Sequence, residues 1–525
     1  MNQPTTSRLF RAATIIMLAF VASRVLGLVR EAVIGAQFGS APEYGAYIAA
    51  FRLPDLLFNL IAGGALASAF LPTFATYLIR EDYHGAHRLA SAVATWLMLI
   101  LGLVAALSAL FAPWLVAHVI APGFTDPALT ALTANLMRLM LISTVIFSLS
   151  GLVMSVLNAY EHFTLPAIAP VLYNVGIIFG ALALTGRFGI FGLAMGVVLG
   201  AAAHLIVQLP MLGRYGVRYQ PLLGRRDPAL WQSVREVARL MTPRVLGAGV
   251  VQLMFIANTI IASFYNPSVL AALNYAWIVM LLPHGIFASS VATAVFPTFS
   301  KMAAVGDQAG MQRAFGQTLR AVLFVVLPAA VGLFMLRVPI IQLLFERGAF
   351  THETTRAVAW ALMFYAPGLI AHSLVEIITR AFFALKDTWT PVLVGVGAMV
   401  GNIGLSLLLV RLIGDPTALV DGPQGGLALA NSLASTVEMA LLLWLIRRRL
   451  GGVGGALRGG VGRMALAALG MALALWGALQ LAPLTALPRL VSTPLLIAIG
   501  GATYMAIAWL LGIDETRRLP AMLRR

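Results

Sequence analysis

The sequence predicts an all-α polytopic membrane protein: 14 transmembrane helices, arranged as two six-helix lobes related by pseudo-two-fold symmetry, plus two C-terminal helices. Three observations carry that prediction. Of the 525 residues, 60% are hydrophobic and only 10% charged, and the mean hydropathy is +0.92. A soluble domain carries about 25% charged residues, so that class is excluded. The chain also divides into apolar segments long enough to cross a hydrocarbon core about 30 Å thick, and short motifs recur along it at a nearly constant offset.

Spans 1 to 14 are read near 12–36, 44–79, 89–119, 129–157, 165–185, 190–212, 231–265, 270–300, 314–345, 353–383, 388–412, 424–446, 461–482 and 491–512. No cleavable signal peptide is expected, since the first eleven residues are polar and the segment after them is long and lacks a small-residue cleavage site.

The net charge of +16 is a matter of topology. If the N-terminus is cytoplasmic, only Arg187, Arg337, Arg347, Arg356, Arg411 and Arg489 fall in outer loops. The basic clusters Arg214–Arg239, Arg447–Arg463 and Arg517 onward all face inward. This is the positive-inside pattern, so both termini are expected in the cytoplasm and no nucleic-acid partner is implied. Cysteine is absent, which excludes disulfides, thiolate metal sites and a cysteine nucleophile.

The duplication appears as four ordered matches. Arg24-Val-Leu-Gly27 returns as Arg244-Val-Leu-Gly247, and Pro72-Thr-Phe74 as Pro297-Thr-Phe299. Pro113 with Phe124-Thr125 returns as Pro339 with Phe350-Thr351, and Ala159 with Pro166 as Ala384 with Pro391. Spans 1–6 and 7–12 therefore read as copies of one unit in the same orientation, a parallel repeat typical of transporters that bind substrate near the midplane. The expected division is an N-lobe 1–213, a linker 214–242 that is partly an amphipathic interfacial helix, a C-lobe 243–450 and C-terminal helices 451–525. Pro54, Gly63-Gly64, Pro72, Pro283, Gly285 and Pro297 predict bent spans.

Charges inside spans point to function. Arg24 and Arg30 lie in span 1, and Arg52 and Asp55 in span 2. Helical rise puts Arg24 and Arg52 roughly 15–18 Å into the membrane, where a guanidinium costs about 2.5–3.5 kcal/mol and so faces a cavity or a partner. Glu31 and Asp55 are the candidate charge partners. Arg30 lies nearer the outer end of its helix, where an arginine can snorkel to the interface. Arg244 stands where the linker enters span 7. Its local setting suits an interfacial anchor, and only its match to Arg24 raises it to a site candidate.

Arg380 is placed to pair with Glu376 at i,i+4. Glu438, Asn402 and Asn431 read as polar glue between helices, and His162, His284 and His372 as packed imidazoles. No phosphate-binding Gly-x-x-x-x-Gly-Lys loop, zinc His-Glu-x-x-His pair or Gly-x-Ser-x-Gly elbow occurs.

Ser23-Arg-Val-Leu-Gly-Leu-Val-Arg-Glu31, Phe51-Arg-Leu-Pro54, Ala69-Phe-Leu-Pro72, Ala121-Pro-Gly-Phe124, Asn158-Ala159 with Pro166, and Pro283-His-Gly-Ile286 together resemble the MviN/MurJ family. The resemblance implies the multidrug/oligosaccharidyl-lipid/polysaccharide exporter fold, with the two extra helices lining a groove for a lipid tail. It also implies flipping of lipid II, the undecaprenyl-pyrophosphate-linked peptidoglycan precursor, by alternating access. In that family the cavity cations correspond to Arg24, Arg30 and Arg52. Guanidinium groups suit bidentate contact with a pyrophosphate.

The chain departs from the family in span 8, where Ala276-Trp-Ile-Val-Met-Leu-Leu-Pro283 lacks the usual arginine and glutamate. It also departs at Gly45, where the family has an acid, and at Ala62-Gly63-Gly64. The C-lobe cation is accordingly expected at Arg244.

The reading is a transporter, not an enzyme, acting in peptidoglycan and cell wall biogenesis and hence cell shape. No cofactor or metal is expected, and a coupling ion or the membrane potential is the candidate driving force. The alternatives are an exporter of another polyprenyl-linked glycan, a drug antiporter, or a non-transporting membrane scaffold. An antiporter would favour cavity carboxylates over arginines. A membrane glycosyltransferase would need large outer loops, and these are short.

Overall fold

Every one of the 14 apolar segments is helical in the computed structural model, which describes residues 6–61, 65–452, 460–481 and 487–516. Among the described residues there is no strand, and eleven helices are long and apolar enough to cross a membrane. Span 1 is a helix over Thr6–Phe38. Span 2 is two helices, Pro42–Ile61 and Ala65–Ile79. The Gly63-Gly64 pair between them lies outside the described residues.

Prolines act as the sequence suggested at span 8. Its first helix, Ser268–Pro283, passes into a π-helical turn at His284–Ala288 before continuing over Ser289–Ala304. A proline at the end of one helix removes a donor, and a wider turn rearranges the bonds around it.

The duplication is written into the backbone. The helices Tyr83–Leu110 and Pro127–Ala159 of the first copy return as Gln308–Met335 and His352–Ala384, at an offset of 225 at every end. Turn chemistry repeats as well. Glu81 has φ +58° and Gly306 φ +72°, followed by Asp82 and Asp307, whose carboxylates accept from the N–H of Gly85 and Gly310 at 2.8 Å each. Glu161 (φ +58°) and Lys386 (φ +60°) form another such pair. Non-glycine residues enter the left-handed region rarely, so matched occurrences show that the two copies share a turn and not only a hydropathy profile.

By packing, the chain forms two compact units, Met1–Pro267 and Ser268–Arg525. In the first, spans 5 and 6 approach through glycines: a β-carbon on Gly176 would sit 2.3 Å from Gly200 Cα, and one on Gly180 2.5 Å from Gly196 Cα. Small residues of this kind let helices without a hydrophobic drive between them pack on dispersion.

Span 7, read at 231–265, is one helix over Pro228–Ser263, and its first part lies in the expected linker. Leu230, Val234 and Val237 recur at helical spacing and are buried against Phe74, Leu89 and Val93. Arg235, Glu236 and Arg239 on the other side are exposed.

In the second unit, spans 13 and 14 (Val461–Gln480 and Arg489–Leu510) dock on span 9 through Met464, Met471, Leu475, Leu496 and Tyr504 around Phe324. Span 14 is tied at both ends. Arg320 meets Asp514 at 2.9 Å and Glu515 at 2.8 Å, and Arg489 meets Glu346 at 2.8 Å. Burial pushes the Glu346 carboxyl up, but the Thr355 hydroxyl (2.7 Å), Arg489 and His352 outweigh it and hold it below the usual carboxylate range. A depressed carboxylate contributes stability above its unfolded pKa and loses it as pH falls through the folded one. The protection of the Arg489–Leu510 amides, taken relative to the intrinsic exchange rate at each pH, is therefore expected to fall on acidification below the carboxylate range, and Glu346→Gln to show the lower protection already at neutral pH. Equal protection at both pH values would refute the tie.

Candidate functional site

Span 1 presents its two arginines differently. Arg24 is exposed on the helix surface. Arg30 turns into the first unit, where its Nε donates to Glu31 Oε1 at 3.0 Å and its Nη1 to Asn174 Oδ1 at 3.0 Å. A third contact, Nη2 to Glu31, closes a charge pair with side-chain exposures of 24% and 7%. Arg30 therefore does not snorkel: a carboxylate this buried would be left unanswered without it, and a buried charge costs far more than a bent side chain.

Asn174, on the helix Thr164–Phe179, is itself fixed, its Nδ2 donating to Pro170 O at 3.0 Å and Ser23 O at 3.4 Å. The Tyr44 hydroxyl donates to Glu31 Oε2 at 3.4 Å. From Tyr44 an aromatic ladder descends span 2, Tyr44 stacking on Tyr47 at 5.9 Å and Tyr47 on Phe51 at 6.1 Å.

Arg52 lies two turns further along, roughly 12 Å from Tyr44. Its Nε donates to Thr259 Oγ1 at 2.8 Å, and its guanidinium lies 5.3 Å over the Phe255 ring. One turn on, Asp55 accepts from Asn59 Nδ2 at 2.8 Å and Gln252 Nε2 at 3.2 Å. Thr259, Phe255 and Gln252 all belong to span 7, so the polar residues of span 2 meet that helix along its length.

Near the start of span 2 a β-carbon on Gly45 would lie 2.2 Å from the Pro267 carbonyl oxygen. That contact gives the glycine at this position a physical reason, because a larger side chain has no room. Gly123 is held the same way, with its N–H donating to Ser263 Oγ at 3.0 Å.

Arg30 and Arg52 thus stand against different helices, spans 5 and 7, in one unit. Arg244 lies within the helix Pro228–Ser263, and its side chain is outside the described residues. In the second unit Arg380 and Glu376 pair at 2.9 Å, as their spacing predicts. His372 bonds Asn431 at 3.0 Å and Ser435 at 3.1 Å, tying span 10 to span 12. Among the described residues no cluster of three metal-ligating side chains occurs.

Sequence reasoning did not single out Asn174, Thr259, Gln252 or Asn59. Their only sequence signal is polarity within an apolar helix, which many bland hydroxyls and amides here share.

A family model described as lipid II flippase MurJ matches residues 34–491. A protein of Burkholderia cenocepacia named lipid II flippase MurJ is 31% identical over 447 residues, 84% of each chain. Among solved structures, one titled "Lipid II flippase MurJ, inward closed conformation" aligns with TM-score 0.79 and 25% identity over 95% of this chain and 99% of that one. An inward-facing multidrug transporter of the MATE family shares the fold, with TM-score 0.69 and 14% identity over 83% and 98% of the two chains.

Proposed function

The chain belongs to the lipid II flippase MurJ family, and we propose that it moves lipid II from the cytoplasmic to the outer leaflet by alternating access. It is a multi-pass inner-membrane transporter, and the proposed orientation, from the positive-inside pattern, puts both termini in the cytoplasm. Arg24, Arg30, Arg52 and Arg244 serve the pyrophosphate. Glu31 is the charge partner that aims Arg30, and Asp55 shares a helix face with Arg52.

The observation that carries this reading is the mounting of Arg52. A threonine hydroxyl and a phenyl ring orient its guanidinium inside the membrane. Such a fork matches a pyrophosphate in two parallel hydrogen bonds. Arg244 adds the cation that span 8 lacks.

The test is replacement of the resident lipid II flippase in a depletion strain. Growth should be rescued by the wild-type chain and lost with Arg244→Ala, with Arg244→Lys retaining part of it by keeping charge without the fork. Failure of the wild-type chain at normal membrane level would favour another polyprenyl-linked glycan as substrate. Full rescue by Arg244→Ala would make that arginine an interfacial anchor.

A further inference from the structure

Between span 3 and the segment leading into Pro228–Ser263 lies a cavity of about 780 Å³ with Arg88, Arg225, Arg226 and Asp227 in its wall. The charges do not cancel. Arg88 is paired with Asp227 at 2.8 Å, and Asp227 also caps the helix by accepting from the N–H of Ala229 and Leu230 at 3.1 and 3.2 Å. Arg225 is instead held by rings, its guanidinium 4.9 Å over Trp96 and 5.5 Å over Trp231. A stacked guanidinium keeps its full charge and presents its N–H edge sideways. Arg226 is exposed beside it. The wall therefore carries a surplus of two positive charges.

Trp96 and Trp231 are residues of the kind that settle at headgroup depth. Trp96 Nε1 also donates to Leu223 O at 3.1 Å, fixing the segment that closes the cavity. From this level an exposed stripe, Leu99, Leu103 and Leu107, runs up span 3 at helical spacing.

We propose that the cavity is a binding site for the phosphate headgroup of an anionic glycerophospholipid of the cytoplasmic leaflet. The headgroup sits between Arg225 and Arg226, and an acyl chain lies along the leucine stripe. The leaflet follows from the orientation proposed above, but the site itself does not depend on what the protein transports. A basic cavity alone would accept any phosphate. The apolar stripe opening from it is what selects a lipid.

The experiment uses the purified full chain in detergent, given phosphatidylglycerol or phosphatidylcholine with the same acyl chains and followed by native mass spectrometry. Phosphatidylglycerol should be retained about tenfold or more over phosphatidylcholine, since each arginine near an anionic lipid adds to its retention. Arg225→Gln with Arg226→Gln should abolish the preference. Arg226→Gln alone, which leaves the tryptophan stack in place and so guards against misfolding, should weaken it, and Arg239→Gln, outside the cavity, should preserve it. Equal retention of both lipids by the wild type, or a preference that survives the double substitution, would overturn the proposal. Displacement by inorganic phosphate as readily as by added phosphatidylglycerol would mark a free-anion site and overturn the lipid assignment. No transport is measured, so failure here leaves the flippase reading untouched.

Discussion

Replacing Arg30 with alanine will abolish lipid II flipping and also loosen the N-terminal unit, and a second substitution will separate the two losses. Glu31 has a side chain 7% exposed, and its Oε1 accepts two of the three hydrogen bonds that the Arg30 guanidinium donates. Removing one partner of a buried pair costs about 3–5 kcal/mol, because the remaining charge stays in a medium that cannot solvate it. Arg30→Ala should therefore lower the thermal midpoint in detergent markedly. Adding Glu31→Gln removes the stranded charge, and the midpoint should return most of the way. If Arg30 serves only to neutralise Glu31, the double variant will also flip lipid II. If it contacts the pyrophosphate, the stable double variant will remain inactive in proteoliposomes with a fluorescent lipid II. Recovery of flipping would remove Arg30 from the site and leave it a structural ion pair.

How much of this was legible in the sequence depends on the range of the interaction. Spans are local: an apolar run commits a segment to a membrane helix whatever its neighbours do, and all the segments read from the sequence are helical. The duplication was legible because proline and helix ends are local too, and the backbone carries it further than the residue types do. Glu161 and Lys386 share a left-handed turn, yet nothing in a glutamate or a lysine announces it.

The partners of the charges were not legible. Arg30 finds Asn174, 144 residues away, and Arg52 finds Thr259, 207 residues away. One chain offers no way to choose these among dozens of polar residues in spans. Span 7 itself was legible at 231–265, but its approach to span 3, fixed by burial of Leu230, Val234 and Val237 against Phe74 and Leu89, was not. Gly45 shows the reverse. It read as the loss of an acid, and the contact with the Pro267 carbonyl gives that glycine a physical reason.

Arg52→Ala should reduce flipping roughly 100-fold or more. A guanidinium fork supplies two hydrogen bonds to a charged ligand, each worth about 1.5–3 kcal/mol, and every 1.4 kcal/mol is tenfold. Asp55, one turn away, feels the charge of the guanidinium, so Arg52→Ala should also lower the thermal midpoint, and adding Asp55→Asn should restore it without restoring flipping. Arg52→Lys keeps the charge but cannot donate from Nε to Thr259 Oγ1 or lie flat over Phe255, and it should fall between alanine and wild type. Thr259→Val preserves volume and removes only the acceptor that aims the guanidinium. With Arg52 intact but less well held, flipping should drop by about tenfold, the lower end of the scale for one such hydrogen bond and less than for Arg52→Ala. The ordering of the three variants is the sharp part of the prediction. A Thr259→Val protein as inactive as Arg52→Ala would mean that the bond between spans 2 and 7, rather than the cation, is what transport requires, and wild-type flipping by Arg52→Ala would remove the arginine from the site.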